Sequence, residues 1–149
     1  DHVTVRPALE SWGAEIDFWR IAIKPGKPLL VARRGAQLIL GLPGNPVSSH
    51  VTAFLFMLPL LRSMQGAALP LPRPVTSVLA TPLGKGGSRR EFLRAHWDGK
   101  NVSALSLQDS GALSSLAASN ALIDRAAGAA ESAIGDEVSL FLLENGGMA

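Results

Sequence analysis

The sequence has no cysteine. Disulfide bonds, thiolate catalysis and sulfur-ligated zinc are therefore all excluded, and the chain fits a reducing compartment. Histidine is also sparse, and His2, His50 and His96 lack the spacing of metal ligands. The chain contains no HExxH pair, EF-hand loop or Ser-His-Asp order. These absences predict no metal site among these residues.

The chain also has little net charge. Its 14 Lys and Arg residues stand against 12 Asp and Glu, which leaves +2 at neutral pH. So small a charge does not steer a polyanion over a distance, whereas small anions are compatible with it. Aromatic residues make up only 5% of the sequence, which is few for a base-stacking surface. We therefore expect no nucleic-acid partner, and keep a nucleic-acid-binding barrel that uses Arg89, Arg90 and Arg94 as an alternative.

Long hydrophobic runs are missing as well. The first ten residues have neither the basic region nor the apolar region of a secretory signal. The most apolar window, residues 51–61, is well short of the roughly 20 residues that span a bilayer. We expect a buried helix there, no membrane association, and a cytoplasmic protein.

What the chain does contain is enough apolar sequence for a core. Hydrophobic residues make up 47% of it and charged residues 17%, which is typical of a globular protein of one ordinary domain or two small ones. The first half reads as a helix, three strands and a long helix. The predicted bounds are 4–13, ending at Gly13; 16–23; 29–33; 37–42; and Pro46 to about Gln65.

Three local features refine this reading of the first half. Pro25 and Gly26 suit a type II turn. Pro59 predicts a kink in the long helix, because proline lacks an N–H group and crowds the carbonyl of Leu55. Nearly every position of that helix is apolar, so we expect it to be covered on several sides. These elements are too few to cover both faces of a sheet, so the first half looks like the end of an α/β domain.

The second half has a different texture. Residues 69–74 are rich in proline and predict a stiff linker between two parts, 1–68 and 75–149. Beyond the linker, short alternating segments separated by glycine predict a small β-barrel or sandwich. The predicted strands are 75–80, 90–97, 102–107, 121–124 and 137–143, with a hairpin turn at Asp98-Gly99 and one possible helical turn in 113–120.

The segment "GLPGNPVSSH", residues 41–50, is unusually constrained for a turn. Asn45 is a favoured N-cap, and Pro46 falls at the first helical position, where a missing N–H costs nothing. The first free N–H groups, from Val47 to Ser49, would then point toward the turn with the positive end of the helix dipole. Gly41 and Gly44 permit a close approach of the backbone to a ligand. The segment predicts an anion site, and a well-capped turn without a ligand is the alternative.

A second cluster of cations lies in "RIAIKPGKP", residues 20–28. Arg20 and Lys24 are four apart and share a face if the strand is continuous, while Lys27 lies across the turn. Fixed cations beside a helix N-terminus would bind phosphate or another oxyanion. Solvated turn lysines are the alternative. The later basic segment, residues 84–97, fails the phosphate-loop pattern and reads as a mobile basic hairpin.

Together, "IAIKPGKP", "GLPGNPVSS" and a long helix containing "LPLL" resemble the C-terminal part of the molybdopterin molybdenumtransferase family, that is, the MoeA proteins and the gephyrin E domain. The resemblance implies the C-terminal part of a truncated, MogA-like, three-layer α/β domain followed by a small all-β barrel-like domain, similar to domain IV of MoeA. It implies insertion of molybdate into adenylylated molybdopterin with release of AMP. The resemblance also implies assistance by Mg²⁺, a homodimer, and contact with other molybdenum-cofactor synthesis proteins.

The resemblance also assigns residues. Lys24, Pro43 and Pro46 match the catalytic motifs, with the lysine as a fixed positive charge near molybdate and the prolines fixing the turn beside it. The implied substrate-binding positions are Arg20, Lys27, Gly44, Asn45, Ser48, Arg94 and Ser110. Ser110 belongs to the loop "QDSG", and Arg20 stands where relatives often carry lysine.

The sequence departs from the family in one large respect. The Gly-rich "GGVS"-type segment and the acidic residues that handle the metal lie upstream in the family and are not among these residues. The resemblance therefore implies a C-terminal fragment, inactive alone, whose Mg²⁺ ligands lie elsewhere. A gephyrin-like scaffold that binds receptor peptides remains an alternative.

Overall fold

The computed structural model describes residues 2–108 and 113–148. The first part of the chain forms three α-helices, a π-helical segment and four strands before a proline-rich connection. These are α1 (His2–Ser11), β1 (Glu15–Phe18), β2 (Ile23–Lys24), β3 (Leu30–Arg34), β4 (Gln37–Gly41), α2 (Pro46–Thr52), a π-helical segment (Ala53–Met57) and α3 (Leu58–Met64).

The second part is mainly β-structure, as the alternating sequence predicts. Its elements are β5 (Val75–Leu79), β6 (Arg90–Trp97), β7 (Asn101–Ala104), α4 (Leu113–Ala118), β8 (Ala121–Arg125), β9 (Glu137–Leu142) and a 3₁₀ turn (Glu144–Gly147). The five strands pair in the order β6-β7-β5-β9-β8, and β8 pairs again with β6. The sheet is therefore a closed barrel, and of the two predicted architectures the barrel is confirmed.

The barrel has its own apolar interior. Its core residues are all 7% exposed or less, and they come from every strand of the barrel and from Leu83 beside it. They are Leu79, Leu83, Ala95, Val102, Ala121, Ile123 and Leu140. This packing explains why the short strands are stable, because closing the sheet buries one face of each strand.

The prediction of one strand over 16–23 is wrong. β1 lies in a separate antiparallel sheet with the order β1-β3-β4, whereas β2 pairs in parallel with β6 of the barrel. Residues 19–22 between them have no strand pairing. The chain thus crosses from one sheet to the other within four residues, and the predicted common strand face of Arg20 and Lys24 does not form.

The turn after β2 agrees with the prediction in one respect. Gly26 has a positive φ, +111°, as the second central residue of a type II turn requires, and the Lys24–Pro25 peptide bond is cis. The turn type itself stays a prediction. In the second part, the turn between β6 and β7 closes with a hydrogen bond from the Asp98 N–H to the Asn101 carbonyl. That hairpin is centred one residue later than predicted.

The long helix begins as predicted and then changes its hydrogen-bond pattern. Asn45 caps α2 with Pro46 at its first position. Before Pro59, the N–H of Leu58 bonds to the carbonyl of Ala53, five residues back. This wider π turn is how the helix accommodates a proline that cannot donate to the carbonyl of Leu55.

The helix is not covered on several sides. Val47, Val51 and Phe54 are buried, whereas Leu61 is 46% and Met64 72% exposed. By length and composition alone, the 19-residue stretch Pro46–Met64 could cross a membrane. Within this fold, 33% of its apolar 18-residue segment is buried. The expectation of no membrane association stays a prediction.

A shared core joins the two parts of the chain. Val51 and Phe54 of the helix pack with Ile23 of β2 and with Phe92 and Leu122 of the barrel. The two parts are therefore joined by apolar packing as well as by the pairing of β2 with β6. The boundaries at 1–68, 69–74 and 75–149 stay predictions. The cationic turn after β2 is consequently held against the barrel.

We predict that Gly26→Ala destabilises the protein by at least about 1–3 kcal/mol, because a non-glycine residue at this φ is strained. An added Cβ would also lie 2.5 Å from Cγ2 of Thr52. The measurement is chemical denaturation. Gly44→Ala is the control, since a Cβ there meets nothing within 4 Å. Equal unfolding free energies for the two variants would contradict this account.

Candidate functional site

A cleft of about 500 Å³ lies where the turn after β2 faces the start of β6 and the first turn of α2. The loop that follows β7 closes one side of it. Eight residues line the cleft: Lys24, Pro25, Gly26, Lys27, Pro28, Ser48, Arg89 and Gln108. Three of them are cations, so the cleft is suited to an anion of small-molecule size.

The cations come from two strands that the fold brings together. Lys24 ends β2, and its side chain is 52% exposed. Arg89 immediately precedes β6, and its Nη1 donates to the Ile23 carbonyl at 3.1 Å. The N–H of Arg90 bonds to the Ala22 carbonyl as well. These contacts fix the two cationic segments side by side.

One carboxylate lies next to this cluster. Glu91 is the β6 residue in register with Lys24, and its Oε1 lies 3.8 Å from the Lys24 Nζ. Its Oε2 lies 3.9 Å from Nη1 of the buried Arg125. Because two cations share one carboxylate, the cleft keeps its positive character.

The prediction of free amides at the start of α2 is wrong. The Asn45 side-chain oxygen accepts from the N–H groups of Val47 and Ser48, both at 3.1 Å. The N–H of Ser49 donates to the Asn45 carbonyl at 2.8 Å, and Pro46 has none. Every amide of the first turn is thus used within the helix, so the start of α2 offers no free amide to the cleft.

The remaining predicted residues are dispersed. Pro43 is buried, Pro46 and Gly44 are exposed, and none of these nor Asn45 lines the cleft. They build the turn from which α2 starts and so place Ser48 at the cleft wall. Their predicted catalytic and substrate-binding roles stay predictions, and what the structure supports for them is positioning.

The three remaining predicted positions are Arg20, Arg94 and Ser110. Arg20 is exposed and outside the cleft lining, with its guanidinium carbon 6.0 Å from the centre of the Trp19 ring. Arg94 is only 1% exposed, and its Nε donates to the Ser115 hydroxyl at 3.2 Å. Ser110 lies outside the described residues. The substrate-binding roles of these three stay predictions.

Sequence reasoning missed two residues of the cleft. Arg89 was considered only for a nucleic-acid surface, although the basic segment that holds it was a visible signal. Gln108 is the first residue of the predicted loop "QDSG" and was not singled out. Its side chain accepts from the N–H of Arg94 at 3.0 Å and donates to the Arg94 carbonyl at 2.8 Å. The backbone of buried Arg94 therefore orients a cleft residue.

The alternative nucleic-acid surface does not form. Arg94 is buried, and Arg90 makes two hydrogen bonds to the Asp124 carboxylate. Of the three arginines, Arg89 alone lines the cleft. The basic segment is not a hairpin either, because Gly86 and Gly87 form backbone hydrogen bonds with Ala129 and Gly128.

The described residues also contain no cluster of three or more His, Asp or Glu side chains that could hold a metal ion. The acidic residue beside the cleft, Glu91, already contacts Lys24 and Arg125. The expectation that any Mg²⁺ ligands lie elsewhere stays a prediction. The chemistry of this cleft is that of fixed cations.

The chain thus combines an α/β part, a closed barrel and a cationic cleft that both parts line. Two family models match adjacent stretches of the chain. Residues 3–63 match a probable molybdopterin binding domain, and residues 76–143 match the MoeA C-terminal region, domain IV. The chain belongs to the MoeA family, and its α/β part followed by a barrel is the fold expected from the sequence.

Curated relatives agree with this assignment. The chain is 39% identical over 93 residues to a molybdopterin molybdenumtransferase from Haemophilus influenzae, covering 62% of this chain and 23% of that protein. It is 31% identical over 147 residues to one from Bacillus subtilis, covering 94% of this chain and 34% of that protein. The chain thus spans about a third or less of the length of these relatives.

Solved structures support the fold. A molybdopterin biosynthesis MoeA protein from Pyrococcus horikosii superposes with a TM-score of 0.78 at 24% identity, covering 93% of this chain and 34% of that one. A molybdenum cofactor biosynthesis protein from Pyrococcus furiosus gives 0.68 at 21% identity, covering 94% of this chain and 54% of that one.

We predict that Arg89→Gln weakens binding of tungstate, a tetrahedral oxyanion, by about tenfold or more. Hydrogen bonds to charged groups contribute about 1.5–3 kcal/mol, and each 1.4 kcal/mol is about tenfold in affinity. The measurement is calorimetric titration at low salt, where screening is small. Lys100→Gln, in the exposed β6–β7 turn, is the control. Unchanged affinity in Arg89→Gln would show that the cleft does not bind the anion.

Proposed function

We propose that this chain supplies the oxyanion-binding wall of a molybdopterin molybdenumtransferase. In this proposal the enzyme inserts molybdate into adenylylated molybdopterin and releases AMP. The observation that carries the proposal is the convergence of Lys24, Lys27 and Arg89 on one cleft beside Ser48. Membership of the MoeA family supports the choice of molybdate among oxyanions of similar shape.

The residues of the cleft suit this chemistry. Molybdate is a tetrahedral dianion, and cations fixed by the fold stabilise it without the reorganisation that water would need. Arg89 offers several donors in a planar fork, whereas Lys24 and Lys27 act as compact charges. The same cations would hold the negative charge of the phosphate as AMP leaves. Their role is to orient and neutralise anions.

Lys24 is the best placed of the three for contact with the transferred group. Its ammonium lies 3.8 Å from the Glu91 carboxylate, too far for a hydrogen bond of ordinary length. Its three N–H donors are therefore available to a ligand while the charge stays localised. Pro25 and Gly26, both buried, hold the turn that follows it.

Further properties belong to the same proposal. We propose that Mg²⁺ assists the reaction through ligands outside the described residues, and that the enzyme acts as a cytoplasmic homodimer with other proteins of cofactor synthesis. We also propose that residues 1–149 alone bind the oxyanion but do not complete the transfer. Purified residues 1–149 should then bind tungstate yet form no cofactor in a reconstituted assay.

We predict that Lys24→Ala in the complete gene product lowers the rate of molybdate insertion by about 10²–10³-fold, the usual effect of removing one group that stabilises a developing anion. Circular dichroism and the unfolding midpoint should remain close to wild type, because the side chain is half-exposed. The measurement is cofactor formation from adenylylated molybdopterin and molybdate. Lys100→Ala is the matched control, and wild-type insertion by Lys24→Ala would refute the assignment.

A further inference from the structure

Glu91 is a nearly buried acid that the proposed chemistry does not use directly. Its side chain is 12% exposed and contacts cations on both neighbouring strands. On one side, β2 places Lys24 in register with it. On the other, β8 places Arg125 in register with it. The carboxylate is thus fixed at the centre of a row Lys24–Glu91–Arg125 that runs across three strands.

The two cations of this row are held very differently. Arg125 is 7% exposed, and it donates to the Gly84 carbonyl at 2.8 Å and to the Ala130 carbonyl at 2.7 Å. It therefore cannot turn toward the cleft. Lys24 is half-exposed, and within the described part of the chain its ammonium has one ion-pair partner, the Glu91 carboxylate at 3.8 Å. The attraction of this carboxylate favours the direction that the flexible lysine side chain takes.

The charges of the row add to one positive charge. A carboxylate paired with Lys24 alone would cancel the lysine and weaken its attraction for an anion. Because Arg125 on β8 compensates the negative charge of Glu91, the carboxylate can orient the Lys24 ammonium while the three side chains together keep a net positive charge. A buried charge needs such compensation in any case, since an unpaired buried carboxylate is strongly destabilising.

We propose that Glu91 is a positioning residue, which holds the Lys24 ammonium at the reacting end of the cleft, and that Arg125 is the counter-charge that makes this possible. The inference rests on the proposed function. A misplacement of about 1 Å in a catalytic group can lower a rate by about 10²-fold. Removing the carboxylate would accordingly affect turnover more than binding, because it leaves all three cations of the cleft present.

The test is the steady-state kinetics of molybdate insertion by the complete gene product carrying Glu91→Gln. The amide keeps the size of the side chain and removes its charge. We expect kcat to fall about 10- to 100-fold, with KM for molybdate unchanged or lower because the site gains positive charge. Because a loss of folded protein would also lower the apparent kcat at unchanged KM, kcat is calculated from the concentration of folded enzyme, measured by circular dichroism. The thermal unfolding midpoint is measured alongside.

Glu91→Asp provides a second variant in case the amide prevents folding. It keeps the charge that Arg125 needs and draws the carboxylate back from Lys24 by one methylene, so kcat should again fall. Asp124→Asn is the matched control, because it breaks the Arg90–Asp124 ion pair, which lies on the same two strands and outside the cleft. Its kcat should stay within about twofold of wild type.

The outcomes separate the two proposals. Inactive Lys24→Ala together with wild-type kcat in Glu91→Gln or Glu91→Asp would overturn the positioning role alone. Wild-type activity in Lys24→Ala would overturn the proposed function as well. A fall in kcat for both Glu91 variants, without a rise in KM and without the same fall in Asp124→Asn, is the result that supports the inference.

Discussion

The pairing of β2 with β6 is the constraint on which the site depends. β2 is only two residues long, yet it aligns Lys24 with Glu91 along the start of β6. β7 pairs with the other end of β6, from Ala95 to Trp97. β2 therefore occupies the part of the barrel edge that β7 leaves open. Without this short ladder, the cations of the first part of the chain would have no fixed relation to Arg89.

The positive charge of the cleft comes from side chains, although a proline-locked helix start lies beside it. The Asn45 side chain and carbonyl accept from the amides of the first turn, which makes the helix a rigid support instead of a ligand-binding end. Its contribution to the cleft is Ser48. Val51 of the same helix packs in the shared core, so the helix is also held against the barrel. The glycine- and proline-rich turn thus contributes stiffness, and the cations contribute the charge.

Local patterns predicted much of this fold, because most elements depend on local chemistry. The barrel strands follow from alternation and glycine spacing, and the start of α2 follows from Asn45 and Pro46. The break between β1 and β2 was not predictable, since it depends on pairing with a strand almost seventy positions later. The same non-local pairing brings Arg89 to the cleft. The burial of Arg94 could not be predicted from the local sequence either, because its hydrogen-bond partner Ser115 lies on α4.

Anomalous scattering from tungsten tests the central claim most directly. Crystals of the complete gene product soaked in tungstate should show a tungsten peak in the cleft, with its oxygens about 3 Å from the Lys24 ammonium and the Arg89 guanidinium. The Ser48 side chain should border the same peak. A single strong peak elsewhere in the molecule, with only water between Lys24 and Arg89, would contradict the account.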